Sequence, residues 1–241
     1  MPRFFCPCSL SIGSIIDLPT ETAHHIFVLR LQVGDQVELF NGEGGSFLAI
    51  LTEVSKKQAQ AEVKLHQALE TELPFGLSLA QALPEGSKMD WIIEKAVELG
   101  VSNIQPLAAQ RCVVKLNSER AEKKSQHWRS IIQAASEQCG RNRLAQLSEL
   151  IDVQKWLTQQ DMHKRILLSP RGSESLADWA RHHPAQAITV MIGPEGGFSE
   201  SEEKMAVEHG AICLSMGPRV LRTETAGIVA ASILSASWGG I

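Results

Sequence analysis

The stretch that decides the fold is Ile188-Thr-Val-Met-Ile-Gly-Pro-Glu-Gly-Gly-Phe198, an apolar run that passes directly into a glycine-rich turn. The first five residues predict a buried strand, and the turn after it is too tight for most other sequences. Ser199 and Glu202 then have the spacing of a capping box, which predicts a helix that Gly210 stops. Strand, loop and helix in this order are typical of a parallel α/β sheet.

A second strand–loop–helix unit follows at once. Ala211–Leu214 predicts a buried strand, Ser215–Thr225 a tight loop with glycine and proline, and residues 226–238 a helix. The carboxyl ends of parallel strands meet at one edge of a sheet, and glycines there let a ligand lie against the backbone. The two loops therefore indicate a ligand site, although two tight turns without any ligand would give the same pattern.

The chain before these units also alternates between strands and helices from Leu77 onward. This alternation predicts a mostly parallel sheet covered on both faces. Its expected elements are strand Leu77–Leu83, helix Ser87–Leu99 with Ser87 as N-cap, strand Ile104–Ala108, a long helix from Ser118 to Gly140, a short helix after Asp152, strand Arg165–Ser169 and a helical turn Leu176–Arg181.

The first 70 residues have a different texture, with short apolar stretches separated by turn residues. They predict a small barrel of short strands. The strand candidates are Ile26–Arg30, Val33–Phe40, Phe47–Val54 and Gln60–Leu65, with Asn41–Gly45 as a hairpin turn. The polar segment Glu70–Pro74 marks the boundary, so we expect domains at residues 1–72 and 73–241.

Composition excludes several classes of protein. Hydrophobic residues make up 44% and charged residues 21%, which suits a folded globular chain rather than a disordered one. No apolar run is long enough for a membrane span, and Met1–Cys6 lacks a signal-peptide core, so we expect a cytosolic protein. The five cysteines match no zinc spacing and predict reduced thiols without a metal site.

Charge is unevenly distributed along the chain. The net charge is −4, but residues 105–145 hold eight basic and three acidic residues, so the remainder carries −9. A basic segment on an acidic body can meet a phosphate backbone on one face. A solvated, charge-rich helix would show the same counts.

The two C-terminal loops, Ile192–Phe198 and Gly217–Ala226, closely resemble those of the SPOUT methyltransferases of the RsmE type. Lys88–Val101, Arg111-Cys112 and Glu137–Arg141 are also similar to that family, and the N-terminal region resembles its PUA-like domain. The resemblance implies an α/β fold: a C-terminal trefoil-knotted SPOUT domain with a mostly parallel sheet, preceded by a small PUA-like β-barrel that binds RNA. It further implies S-adenosylmethionine as cofactor, N3 of a uridine in 16S ribosomal RNA of the small subunit as methyl acceptor, and a homodimer.

The resemblance also implies roles for particular residues. Arg222 would stabilise charge on the uracil oxygens, and Glu224 or Glu195 would accept the N3 proton or orient Arg222. The residues expected to bind the cofactor are Leu168, Ser169, Ile192, Gly193, Pro194, Gly196, Leu214, Ser215, Met216, Gly217, Val220, Leu221 and Thr223. The residues expected to contact RNA are Arg3, Arg30, Arg111, Glu137 and Arg141.

Some alternatives stay open at this point. A buried ion pair between Arg111 and Glu137 would explain both residues without RNA, and Glu224 would equally suit a structural cap. Rival functions are a non-catalytic RNA-binding module and a methyltransferase of the same fold with another RNA site. A hydrolase or nucleotide-binding enzyme is disfavoured, because G-x-S-x-G, D-x-D, G-x-G-x-x-G and the P-loop motif are all missing from the sequence.

Overall fold

A computed structural model describes residues 1–160 and 163–241. The chain forms two compact units. Unit 1 comprises Met1–Thr71 together with Ser136–Leu144, and unit 2 comprises Glu72–Ala135 together with Ala145–Ile241. The sequence placed the domain boundary between residues 72 and 73, and it did not assign Ser136–Leu144 to the first unit.

Unit 1 is built on a sheet of five short strands within residues 1–71. The strands are β1 (Arg3–Phe5), β2 (Ile15–Asp17), β3 (Gln36–Phe40), β4 (Ser46–Val54) and β5 (Ala59–Gln67). Their order is β1-β3-β4-β5-β2, with β1 parallel to β3 and the other pairs antiparallel. The β3–β4 hairpin turns at residues 41–45, as the glycines there predict, and the β-rich character of this region is confirmed.

One strand prediction in unit 1 is wrong. Ile26–Arg30 does not form a strand, because Thr20–Val28 is a helix, α1. Thr22, Ala23 and Ile26 are its buried residues, at the spacing of one helix face, and Ala23 and Ile26 belong to the hydrophobic core of this unit. A short apolar run of this kind suits a strand or a buried helix, and only the packing partner decides between them.

Unit 2 contains a sheet whose eight strands, among the described residues, are parallel in every observed pairing. The strands are β6 (Leu77–Ala82), β7 (Asn103–Ala108), β8 (Gln146–Leu147), β9 (Ile151–Asp152), β10 (Lys164–Leu168), β11 (Glu174–Ser175), β12 (Ile188–Ile192) and β13 (Ile212–Ser215). The order is β11-β13-β10-β12-β6-β7-β8, and β9 pairs with β7. The parallel α/β sheet is therefore confirmed, whereas the trefoil knot stays a prediction.

The remaining helices begin and end close to the positions that the sequence predicts. They are α2 (Lys88–Glu98), α3 (Ser118–Cys139), α4 (Val153–Leu157), α5 (Leu176–His182), α6 (Glu200–Glu208) and α7 (Thr223–Trp238). Asp152 caps α4, and Ser199 with Glu202 forms a complete capping box on α6. Ser87 is the N-cap residue of α2, as predicted, although its side chain makes no cap hydrogen bond.

Two features of this sheet position the candidate site. All five residues of β12 are buried, so the strand holds its following loop rigidly at the sheet edge. The last helix, α7, begins at Thr223 rather than at Ala226, which brings its first turn into the loop region.

No helix among the described residues is both long and apolar enough to cross a membrane.

Candidate active site

A cavity of about 510 Å³ lies in unit 2, beyond the carboxyl ends of β10 and β12 and beside the loop after β13. Ligand sites of open α/β sheets lie in this position. Of the residues expected to bind cofactor, eleven line it: Leu168, Ser169, Ile192, Gly193, Pro194, Gly196, Met216, Gly217, Val220, Leu221 and Thr223. The three residues expected to be catalytic, Glu195, Arg222 and Glu224, line it as well, together with Arg111.

A buried hydrogen-bond chain joins the two glycine loops. Gln81 Nε2 donates to Thr223 Oγ1 over 2.9 Å, and Thr223 Oγ1 donates to the Gly193 carbonyl over 2.6 Å. Gln81 is fully buried on β6, and its backbone lies opposite Ile192 in the parallel pairing. The start of α7 is thereby fixed against the end of β12, which holds both cavity walls together.

The turn after β12 requires glycine at its first position. A Cβ on Gly193 would lie 2.8 Å from the Phe198 nitrogen, closer than such atoms can approach. The turn therefore closes on itself, and it presents backbone groups rather than side chains to the cavity.

Arg111 fixes the far end of this turn. Its Nη1 donates to the Gly196 carbonyl over 2.8 Å and to the Phe198 carbonyl over 3.3 Å. Arg111 is exposed, so it is not the buried side chain that the alternative interpretation of the sequence required. Since its partners are neutral carbonyls, the guanidinium adds positive charge at the cavity.

Glu195 is already engaged at the cavity wall. It forms an ion pair with Lys88 and accepts a hydrogen bond from the Glu85 backbone nitrogen over 3.0 Å. Burial opposes ionisation of the Glu195 carboxyl, but the hydrogen bonds from Lys88 and from backbone nitrogens outweigh it and hold its pKa below the usual range. The same contact raises the pKa of Lys88. Glu195 is therefore a firmly ionised, positioned anion.

Glu224 lies in a different environment. One carboxylate oxygen, Oε1, is 3.9 Å from Arg222 Nη1. The other, Oε2, is buried and has no hydrogen-bond partner among the described residues. The Arg222 side chain is 83% exposed, whereas that of Glu224 is 17% exposed. A buried carboxylate oxygen without a donor is unusual in proteins, and this one remains able to accept a hydrogen bond or a proton.

Beside β10, in contrast to Glu224, the charged side chains all have partners. Ser169 Oγ donates to Glu203 Oε1 over 3.1 Å, and Arg171 contacts Glu203 Oε2 and Glu200 Oε1, each over 3.4 Å. The single cation Arg171 thus has two carboxylate partners, so this side of the cavity adds no positive charge. The sequence analysis did not identify Lys88, Arg171 and Glu203 as cavity residues. It also did not identify Gln81, although a polar amide within an apolar strand indicates a buried hydrogen-bond role.

Two residues expected to bind the cofactor do not line the cavity. Leu214 is 1% exposed, and its carbonyl accepts a hydrogen bond from the Ser169 nitrogen over 3.0 Å. Ser215 Oγ donates to the Glu174 carbonyl over 3.3 Å. Both residues instead hold β13 in the sheet.

Four residues expected to contact RNA belong to unit 1. Arg3 donates to the Arg141 carbonyl over 3.2 Å and to Asn142 Oδ1 over 2.7 Å, and its guanidinium stacks on Phe40. Glu137 Oε1 accepts a hydrogen bond from the Phe5 backbone nitrogen over 2.9 Å.

Three of these four, Arg3, Glu137 and Arg141, make structural contacts within unit 1 or are buried there. The contacts of Arg3 and Glu137 join β1 to the 136–144 segment, and Arg141 is 3% exposed. Arg30 is exposed and remains a candidate for RNA contact, as part of a surface with Phe27 and Lys56.

The cavity is lined by backbone groups, by apolar side chains, and by charged side chains of lysine, arginine and glutamate. Within the described residues, no group of three or more histidine, cysteine or acidic side chains is arranged to hold a metal ion. A parallel sheet with such a cavity at its carboxyl edge defines the class of α/β enzymes that bind a small organic ligand.

Comparisons with known proteins narrow that class. A family model described as RNA methyltransferase domain matches residues 71–235, and one described as RNA methyltransferase PUA domain matches residues 18–64. The chain belongs to this RNA methyltransferase family.

Relatives match over nearly the whole chain. It is 33% identical over 248 residues to "Ribosomal RNA small subunit methyltransferase E" of Bacillus subtilis, covering 98% of this chain and 96% of that protein. Among solved structures, the enzyme of that name from Neisseria gonorrhoeae bound to S-adenosyl methionine has a TM-score of 0.92 at 36% identity, covering 99% and 98% of the two chains. A putative methyltransferase from Legionella pneumophila with bound cofactor SAM has a TM-score of 0.92 at 38% identity, covering 98% and 97%.

Proposed function

We propose that the protein transfers a methyl group from S-adenosylmethionine to N3 of a uridine in 16S ribosomal RNA of the small subunit. The observation that carries the proposal is the cavity formed by two glycine loops that Gln81 and Thr223 hold together. The names of the relatives support ribosomal RNA of the small subunit as substrate, and two similar structures contain the cofactor. On this proposal the protein works in the cytosol, where ribosomal subunits are assembled.

The cavity fits such a cofactor in size and in chemistry. Its volume of about 510 Å³ lies within the range of small-molecule sites. Leu168, Ile192, Met216 and Leu221 provide apolar walls for an adenine ring, and the loop from Gly193 provides backbone groups for polar atoms. When bound, the cofactor supplies an electrophilic methyl group, so these residues need only hold it in line with the acceptor nitrogen.

The acceptor nitrogen of uracil carries a proton at neutral pH, and a base must remove it. Glu224 is the better candidate for this base. Its buried Oε2 has no hydrogen-bond donor among the described residues, whereas Glu195 has the Lys88 ammonium and the Glu85 nitrogen as donors. A carboxylate that is stabilised by two donors has a lower affinity for a proton.

Arg222 would stabilise the resulting charge. Its guanidinium is 3.9 Å from Glu224 Oε1, so the proton acceptor and the positive group are neighbours at one side of the cavity. Loss of the N3 proton spreads negative charge onto the two uracil oxygens, and a nearby guanidinium lowers the energy of that anion. The exposure of Arg222 leaves it accessible to an incoming nucleotide.

We also propose a homodimer in which α7 takes part. Ile228, Val229 and Ile233 on this helix are only partly buried in the single chain. A second copy would cover these apolar side chains. Light scattering should give twice the chain mass for the wild type, and Ile233→Glu should shift it toward the monomer. A wild-type monomer at micromolar concentration would contradict this assignment.

The test of the activity is methyl transfer from labelled S-adenosylmethionine to small subunits that lack the modification, followed by nucleoside analysis. The expected product is 3-methyluridine, and Arg222→Ala should abolish it while cofactor binding remains. Another methylated nucleoside would favour the second candidate, a methyltransferase of this family acting at a different RNA site. No cofactor binding at all would favour a non-catalytic RNA-binding protein.

A further inference from the structure

The loop between β13 and α7 forms an exposed rim on the cavity. We call residues 217–222 the rim loop. Gly217, Arg219, Val220 and Arg222 are exposed, yet all four line the cavity. Val220 is 82% exposed, and among the large apolar side chains of the described part only Ile241 at the terminus is more exposed. A residue in this position touches both solvent and whatever enters the cavity.

The rim loop carries two of the cations that line the cavity, Arg219 and Arg222. Lys88 is neutralised by Glu195, and Arg171 by Glu200 and Glu203. In contrast, no hydrogen bond or ion pair within the described residues involves the side chain of Arg219. Arg222 adds a second cation three residues away, which is largely in solvent and has Glu224 Oε1 at 3.9 Å from its Nη1. The rim loop therefore adds two largely solvated cations to the cavity, beside the positive charge of Arg111 at the turn after β12.

We infer that Arg219 and Val220 bind the RNA strand on the side of the target nucleotide, with Arg219 on a phosphate and Val220 against the neighbouring base or sugar. This inference rests on the proposed function. A base that is taken out of its stack leaves an apolar neighbour exposed, and proteins cover such surfaces with apolar side chains. An arginine next to that side chain suits the adjacent phosphate. Val220 is then an RNA contact, whereas the sequence placed it in the cofactor site.

The variants Arg219→Gln and Val220→Ser separate these roles. For both, S-adenosylmethionine binding measured by calorimetry should equal that of the wild type. The apparent KM for unmodified small subunits should rise by about tenfold, with kcat little changed. In Arg219→Gln, the slope of log affinity for subunits against log salt should fall by about one.

Matched controls lie on α6 of the same unit. Lys204→Gln removes an exposed cation and Val207→Ser a 51% exposed valine, and neither residue lines the cavity. Both controls should keep the wild-type KM. If Val220→Ser weakens cofactor binding and leaves the KM unchanged, Val220 is a cofactor residue and the inference is overturned.

Direct binding of subunits by co-sedimentation distinguishes failure of this inference from failure of the proposed function. Wild-type binding without methyl transfer would reject the proposed function, and reduced binding of both variants would still support the rim loop as an RNA contact. Methyl transfer by the wild type with unchanged KM and binding in both variants would reject the rim loop alone.

Discussion

Thr223 Oγ1 donates to the Gly193 carbonyl over 2.6 Å and thereby joins the first turn of α7 to the end of β12, 30 residues earlier in the chain. Gln81 completes the connection from β6. Three segments far apart in the sequence thus meet in one hydrogen-bond chain behind the cavity. The geometry of both glycine loops depends on this connection.

Thr223→Val tests the connection directly. Valine keeps the shape of threonine but removes the hydroxyl, so the Gly193 carbonyl and the Gln81 amide both lose a partner in a buried environment. The free energy of unfolding should fall by about 1–3 kcal/mol, and cofactor affinity should fall with it. Denaturant unfolding and calorimetry measure the two effects.

Thr225→Val is the control, because Thr225 lies on the same helix but its hydroxyl has no observed hydrogen bond among the described residues. Equal losses in the two variants would show that the hydroxyl of Thr223 has no special role.

Glu224→Gln and Glu195→Gln should differ in their effect on the methyl-transfer rate. If Glu224 accepts the proton, its amide variant should lose about 10²-fold or more in kcat while the KM for cofactor stays close to that of the wild type. Glu195→Gln should keep most of its kcat and bind cofactor more weakly, since the carboxylate positions Lys88 and the turn. The reverse order would assign the proton to Glu195.

The Lys88–Glu195 pair should make the cavity wall sensitive to acid. Because the pKa of Glu195 is lower in the folded protein than its ordinary value, the pair stabilises the fold at neutral pH. That contribution is lost as the pH falls from the ordinary glutamate range through the folded pKa. The difference in unfolding free energy between the wild type and Glu195→Gln should therefore shrink as the pH is lowered from 7 to 3. A difference in unfolding free energy that stays constant over this pH range would show that the Lys88–Glu195 pair does not cause the acid sensitivity.

Arg111→Met should loosen the turn after β12. The variant loses both hydrogen bonds to the Gly196 and Phe198 carbonyls while keeping an apolar stem of similar length. We expect cofactor affinity to fall by about fivefold, as for the loss of an exposed charge-assisted bond. Arg129→Met is a matched control, because Arg129 is an exposed arginine on α3 that does not line the cavity. Unchanged affinity in Arg111→Met would mean that the turn holds its shape without Arg111.

Cys6 and Cys8 should differ strongly in reactivity although their sulfurs are 3.2 Å apart. Burial, together with the contact to Cys8, raises the pKa of the Cys6 thiol to about 12, whereas Cys8 is exposed. Iodoacetamide at pH 8.5 should therefore modify Cys8 in the folded protein and Cys6 only after unfolding, as mass spectrometry would show.

The raised pKa of the Cys6 thiol also determines how the stability of the fold changes at alkaline pH. Its thiol ionises at lower pH in the unfolded chain than in the folded one, so unfolding should become easier as the pH rises from 9 toward 12. Cys6→Ala should reduce this alkaline dependence. Equal modification of Cys6 and Cys8 in the native protein would contradict the burial of Cys6.

Sequence patterns located most elements because local signals were strong there. The buried run Ile188–Ile192, the capping box of Ser199 and Glu202, and the Asp152 cap are read from neighbouring residues, and the structure has them where expected. Ile26–Arg30 was wrong because its apolar run had no local signal that separated a helix from a strand. Ser87 is the N-cap of α2 as expected, but the sequence did not show that its side chain would make no hydrogen bond to the helix.

The sequence by itself determined the parallel α/β sheet, the two glycine loops at its edge and the family resemblance, because these depend on residue types at short spacing. Only the tertiary structure decided which charged groups meet: Glu195 with Lys88, Arg111 with the Gly196 carbonyl, and Gln81 with Thr223. It also placed Arg3, Glu137 and Arg141 in unit 1 as structural groups. The physical reason is that these contacts join segments between 85 and 142 residues apart, whose approach depends on strand order and not on local sequence.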